Sequence, residues 1–192
     1  MTAHIRNAPS GFLDLSSKSF VQQTLFVIAG TLVLALASKI AVPMVPVPIT
    51  MQTFAVTMIG ALYGWRLGTL TVLAWLGEAM LGLPVLAGVS SGLAPFVGPT
   101  AGYLVSFPIM AALVGFMTEK GISGHRPVAG FLLHFVANAV GLALGWAWLA
   151  GLLGAEKAWI AGVAPFLLGA VLKSALAAAV LKLLALRKEA AR

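Results

Sequence analysis

The sequence predicts an all-α membrane protein, a compact bundle of six transmembrane helices with both termini cytoplasmic. Three observations carry that expectation. The 192 residues are 60% hydrophobic and only 9% charged, with a mean hydropathy of +1.03, whereas a soluble domain carries about 25% charged residues to keep its surface hydrated. Apolar runs close to the ~20 residues that cross a bilayer recur along the chain. The basic residues gather in alternate connections between those runs. A water-soluble globular domain is excluded, and a chain this apolar has no reason to stay unpacked.

The formal charge is +7, from 12 Lys and Arg against 5 Asp and Glu. In a soluble protein that excess points to nucleic acid. Here the basic residues flank apolar runs, where they set topology and touch anionic headgroups. Membrane lipid is therefore an expected partner and nucleic acid is not. Cysteine is absent, which excludes disulfides, Cys-ligated zinc, iron–sulfur clusters and a thiol nucleophile.

Residues 1–19 carry His4, Arg6, Asp14 and Lys18 and read as a polar cytoplasmic tail, mobile or interfacial. Residues 20–186 form the membrane domain, and 187–192 a basic cytoplasmic C-terminal tail. Ala35-Leu36-Ala37 imitates a signal-peptidase site, but a long polar segment leads the run and further spans follow, so the first run reads as a retained helix. Span 1 covers residues 20–41. The stretch 42–48 holds Pro43, Pro46 and Pro48 and must be extended. Span 2 covers 49–63 and ends at a tight Gly64-Trp65-Arg66 turn; span 3 covers 67–83. A Gly/Ser/Pro-rich connection fills 84–99, long for a protein of this size. Span 4 is 100–118, with Pro108 as an expected kink, and 119–126 is a polar loop. Span 5 starts at Pro127, a favoured first-turn residue, and runs to 153. A polar connection, 154–164, carries Glu156 and Lys157, and span 6 is 165–186.

On one side of these spans lie Arg6, Lys18, Arg66, Lys120, Arg126, Arg187, Lys188 and Arg192; the other side holds Lys39 and Lys157. The positive-inside rule then places both termini in the cytoplasm. The proline stretch and both long connections face outward. Irregular backbone at membrane depth is tolerated only against protein or water, so loops gathered on one side imply an outward-facing site beneath them.

Polar groups inside spans are the informative ones, because a charge at a helix centre costs about 2.5–3.5 kcal/mol even on the gentlest scale. Glu78 in span 3 and Lys173 in span 6 both fall roughly 12–13 Å below the outer edge of a ~30 Å core. They read either as a helix-locking ion pair or as the polar floor of a cavity, with Lys173 meeting an anionic or carbonyl-bearing ligand. Asn138 lies slightly deeper, and shares a face of span 5 with His134. Two such residues fall short of a metal site, and a lone intramembrane histidine is expected to hydrogen-bond a neighbouring helix. Gly88-Val89-Ser90-Ser91-Gly92 matches G-x-S-x-G but lacks the strand–turn–helix context of a nucleophile elbow. Gly141 and Gly145 have the spacing of close helix packing. Trp146, Trp148 and Trp159 fit an interfacial belt, while Tyr103 sits where it can stack on a ligand ring. No G-x-x-x-x-G-K-[ST] occurs in the sequence, so ATP-driven transport would need a separate ATPase.

Three further segments carry a resemblance. Pro46-Val47-Pro48-Ile49-Thr50-Met51-Gln52-Thr53 resembles the PVPIT-x-QT signature of BioY proteins, the biotin-capturing S components of energy-coupling-factor (ECF) vitamin transporters. Glu78 followed by Gly82-Leu83-Pro84-Val85-Leu86-Ala87-Gly88 is similar to the family's E-G-A-x-G-L-P-V-F-A-G. Gly98-Pro99-Thr100-Ala101-Gly102-Tyr103-Leu104 is similar to its G-P-T-G-G-Y-L. The match weakens beyond Phe107. There Lys173 fits a P-G-D-x-x-K pattern whose aspartate is Ala170 here, and Ala137-Asn138 replaces a frequent Gly-His.

The resemblance implies a six-helix biotin transporter subunit in the bacterial inner membrane, without catalysis, cofactor or metal. It is coupled to a membrane subunit and two ATPase subunits, or acts alone. Lys173 and Asn138 are then expected as polar ligand contacts and Tyr103 as a ring contact. Gly82, Pro84 and Gly88 are expected at close backbone approaches, and Thr50, Gln52 and Thr53 as forming or bracing a lid. Glu78 is expected at the site or holding Lys173 or a loop. The rivals are an S component for another small water-soluble vitamin, an intramembrane hydrolase using Ser90 and His134, and an assembly subunit without ligand.

Overall fold

The computed structural model describes residues 12–13, 15–88, 91–122 and 125–190. Ser19 starts α1 (Phe20–Lys39) with a reciprocal capping box. Its hydroxyl accepts from the Gln22 N–H, and the Gln22 side chain accepts from the Ser19 N–H, satisfying donors that a helix start leaves open. One stripe of α1 is buried, namely Gly30, Thr31, Leu34, Ala37 and Ser38. Much of the rest, including Leu25, Leu32 and Leu36, is exposed and apolar, as suits a surface that faces lipid.

Two short strands, β1 (Ala41–Val42) and β2 (Ile49–Thr50), pair antiparallel with Ala41 opposite Thr50. They close the proline-spaced stretch into a hairpin directly after α1. α2 (Gln52–Met80) has 29 residues but is not a straight rod. Gly64 adopts φ 80° and ψ 173°, a region essentially reserved for glycine. On a straight helix Gly60 and Gly68 would lie about 12 Å apart, yet a methyl placed on Gly68 would sit 3.0 Å from the Gly60 Cα. The chain therefore reverses at Gly64, and residues 65–80 pack back along 52–63. This is the Gly64-Trp65-Arg66 turn read from the sequence.

After α2 come a short helix, α3 (Ala94–Val97), and then α4 (Ala101–Glu119), α5 (Pro127–Leu153), α6 (Ala155–Gly162) and α7 (Phe166–Ala190). Among the described residues, α1, α2, α4, α5 and α7 are long and apolar enough to cross a membrane. α4 runs unbroken through Pro108. The connection expected over 154–164 is mostly helical instead. Gly154 ends α5 at φ 86°, and α6 then turns Ala158 and Gly162, one helical turn apart, toward the protein. The basic C-terminal residues Arg187 and Lys188 likewise lie inside α7.

Contacts sort the elements into two ends. At one end Phe12 and Leu13 donate backbone bonds to the Ala61 and Leu62 carbonyls. There Glu119 accepts from the Trp65 N–H, Lys188 donates to the Phe12 carbonyl, and His125 meets Glu189 at 3.3 Å. At the other end Lys39 reaches the carbonyls of Leu86 and Gly88, Trp148 that of Gly98, and Tyr103 that of Gly162. Between them the core is built on Leu34, Val56, Val72, Trp75, Met110 and Val114, all at 0% exposure. α2, α4 and α5 form its centre, with α1 and α7 on the flanks.

Candidate functional site

At the end away from Phe12 and α7's C-terminus lies a cavity of about 400 Å³, in the range of about 300–1,000 Å³ typical of small-molecule sites. Three helices floor it, each with residues one turn apart: Tyr103, Ser106 and Phe107 from α4; Asn138, Gly141 and Leu142 from α5; Phe166, Ala170 and Lys173 from α7. This is the i, i+3, i+4 spacing that places side chains on one helix face. The β1–β2 hairpin contributes Pro46, Val47, Pro48 and Thr50, and the long connection contributes Leu86, Ala87, Ser91 and the segment leading into α4.

Among the described residues, Lys173 is the charged group lining the cavity. Its ammonium donates to Thr53 Oγ1 at 3.2 Å, joining α7 to the first turn of α2. An ammonium has three donors, and no other protein acceptor for it is found among the described residues. Asn138 is buried, and its Nδ2 donates to the His134 carbonyl at 2.9 Å and to Ser174 Oγ at 3.4 Å. Because a backbone carbonyl only accepts, these bonds fix the amide orientation. Ser174 in turn donates to the Ala170 carbonyl at 2.7 Å.

Tyr103 is held on both sides. Its hydroxyl donates to the Gly162 carbonyl at 2.7 Å, and its ring stacks on Phe166 with centroids 6.2 Å apart. Gly145 makes this possible, since a Cβ there would run into the Tyr103 ring. The Gly141 and Gly145 spacing thus serves close packing of α5 against α4.

Gln52 anchors the mouth. Its Oε1 accepts from Thr50 Oγ1 at 3.0 Å, and its Nε2 donates to Ser38 Oγ at 3.0 Å. Ser38 then donates to the Leu34 carbonyl. The chain of bonds ties hairpin, α2 and α1 together, with Thr50, Gln52 and Ser38 all buried.

Of the residues singled out in the sequence, Thr50, Gln52, Thr53, Tyr103, Asn138 and Lys173 converge on this cavity. Gly82, Pro84 and Gly88 are exposed on the connection after α2, and Glu78 is half-buried; none of the four lines it. Glu78 and Lys173 stand at different distances from their helix ends. α2 ends at Met80, where Gly82 turns the chain at φ 95°, so Glu78 sits within a turn of the helix end while Lys173 lies about 10 Å along α7. No ion pair joins them among the described residues.

His134 also departs from expectation. It is fully buried, and neither ring nitrogen has a hydrogen-bond partner. It does not line the cavity, and Ser90 lies outside the described residues. Trp148 and Trp146 are more than belt residues, since their Nε1 groups donate to the Gly98 and Ala155 carbonyls. Among the other lining residues, Ser106 and Phe107 lie one turn from Tyr103, and Ala170 and Phe166 lie one and two turns from Lys173.

Comparison with known proteins matches residues 7–190 to the BioY family. The chain is 36% identical over 143 residues to a probable biotin transporter BioY of Pyrococcus horikoshii, covering 74% of this chain and 83% of that protein. It is 38% identical over 172 residues to the biotin transporter BioY of Rhizobium etli, covering 85% and 91%. Among solved structures it is similar to the S-component for biotin from an ECF-type ABC transporter, with TM-score 0.77 and 26% identity over 88% of this chain and 92% of that one. With the family profile spanning nearly its full length, the chain belongs to the BioY family.

Proposed function

We propose that this chain is the biotin-binding S component of an ECF-type transporter, capturing biotin from outside the cell for uptake. The observation that carries the reading is one ammonium, Lys173, in a mostly apolar cavity whose other described lining residues are uncharged. Biotin matches that chemistry: a compact neutral ring system with a thioether and an ureido group, carrying one carboxylate. Lys173 meets the carboxylate, Tyr103 and Phe166 cover the apolar ring, and the Asn138 amide oxygen is available to accept an ureido N–H. A carboxylate in a pocket of low polarity needs such a countercharge, because an unpaired buried charge is strongly disfavoured.

The chain acts as a transporter component and performs no catalysis. In our reading it crosses the cell membrane six times, α2 contributing two crossings through its reversal at Gly64. Residues 52–63 span only about 18 Å, so this arm starts well below the outer surface and leaves room for the cavity above it. Both termini are cytoplasmic. The grouping of Arg66, Lys120, Arg126, Arg187 and Lys188 toward the termini supports that orientation. In a bacterial cell this is the inner membrane. Energy comes from a membrane coupling subunit and two ATPase subunits, or the chain works alone.

The test is an intrinsic tryptophan fluorescence titration of the purified chain in lipid nanodiscs, with biotin, thiamine and riboflavin in parallel. Saturable binding of biotin alone is expected. Binding of another vitamin in preference to biotin would transfer the site to that ligand, and covalent capture of Ser90 by a serine-directed probe would support the hydrolase reading instead.

A further inference from the structure

The connection after α2 reaches the cavity with little secondary structure of its own. Residues 81–88 contain no helix or strand, so their carbonyls need other donors. Side chains supply them. Trp75, fully buried and stacked on Phe107, donates Nε1 to the Val85 carbonyl at 3.1 Å. Lys39 donates Nζ to the carbonyls of Leu86 at 2.8 Å and Gly88 at 2.7 Å.

Lys39 is the last residue of α1. A basic residue there ordinarily interacts with the final carbonyls of its own helix. This one instead crosses to a segment 47 and 49 positions away. Gly88 adopts φ 64°, a turn that lets two carbonyls of the same short segment face one ammonium. Leu86 is 3% exposed and lines the cavity with Ala87. Lys39 does not line it.

The two anchors differ in kind. The Trp75 bond is locked in the core. The Lys39 bonds lie at the exposed rim, where water can replace the carbonyls at small cost. Lys39 also stands just before β1, whose hairpin contributes Pro46, Val47, Pro48 and Thr50 to the same cavity. One side chain thus ties the end of α1, beside the hairpin, to the connection that lines the same cavity.

We propose that Lys39 is a positioning residue that holds residues 86–88 as a wall of the cavity and thereby sets how long the ligand stays. The identity of the ligand rests on the biotin reading above; the latch itself does not.

The test uses the full chain in nanodiscs, comparing wild type with Lys39→Met and Lys39→Arg. Hydrogen–deuterium exchange without ligand reads the wall, and radiolabelled biotin association and dissociation read its consequence. Lys39→Met is expected to raise exchange at residues 84–88 and leave α4, α5 and α7 unchanged. It should speed biotin dissociation by about 10-fold with little change in association. Lys39→Arg, which keeps a cationic multiple donor, should restore both. If Lys39→Met fails to fold, Lys39→Gln, with a shorter neutral donor, takes its place. Unchanged exchange at 84–88 overturns the proposal, as does raised exchange with unaltered dissociation. Slower association with unaltered dissociation assigns the ammonium to attracting an anion and overturns it equally. If the wild type fails to bind biotin, the functional reading fails, while the ligand-free exchange still decides whether Lys39 holds the wall.

Discussion

Lys173 and Thr53 meet across the cavity floor, the ammonium of one donating to the hydroxyl of the other at 3.2 Å. They are 120 positions apart in the chain, on α7 and on the first turn of α2. The bond fixes where the positive charge sits and leaves the remaining ammonium donors for a ligand. Thr53→Val should therefore keep the fold and weaken biotin binding by about 5-fold, corresponding to one net hydrogen bond of about 1 kcal/mol. Calorimetric titration of the two proteins reads it directly.

Removing the charge should cost far more. Lys173→Met keeps most of the side-chain volume but leaves the ligand carboxylate unpaired. Such truncations cost about 2–5 kcal/mol, so affinity should fall by at least about 30-fold while the melting temperature of the free protein holds or rises.

Tyr103 depends on two unlike supports, and they separate by mutation. Tyr103→Phe deletes the bond to the Gly162 carbonyl and should destabilise the protein by about 1–2 kcal/mol, with the ring still in place. Gly145→Ala should do more harm to the site, because its methyl drives into the ring. Overpacking of this kind costs about 1–3 kcal/mol. Thermal melts in detergent, run beside biotin titrations, should show Gly145→Ala losing both stability and affinity.

The reversal at Gly64 has its own signature. At φ 80° and ψ 173° any side chain is strained, by about 1–3 kcal/mol. Gly64→Ala should lower the melting temperature, whereas Gly77→Ala, where a Cβ meets nothing within 4 Å, should leave it unchanged or raise it slightly.

The absence of native cysteine makes the orientation directly measurable. A cysteine at Glu156, exposed on α6, should react with a membrane-impermeant maleimide on intact cells. One at Lys120, exposed after α4, should react only after permeabilisation. The reverse pattern would invert the topology.

Much of this architecture was legible because a bilayer imposes long apolar runs and marks their ends with proline, glycine and charge. Pro127 and Leu153 bound α5 as read, and Gly64 marked the reversal. α6 was missed because Glu156 and Lys157 made its segment look like a loop, although Ala158 and Gly162 already had helical spacing. Lys173, Asn138 and Tyr103 were visible as polar or amphipathic exceptions in apolar helices. Glu78 falls outside the cavity lining, and the apolar run that suggested a longer span continues past Met80, where the helix stops. Lys39 could not be found by composition or motif at all, since its partners are backbone carbonyls nearly fifty positions away and carbonyls leave no mark in a sequence.

The central claim is that Lys173 supplies the countercharge for biotin's carboxylate. Isothermal titration of the purified chain in nanodiscs with biotin and with its neutral methyl ester tests it most directly. Biotin is predicted to bind at least about 30-fold more tightly than the ester, with the difference collapsing in Lys173→Met. Equal affinities for acid and ester in the wild type would contradict the account.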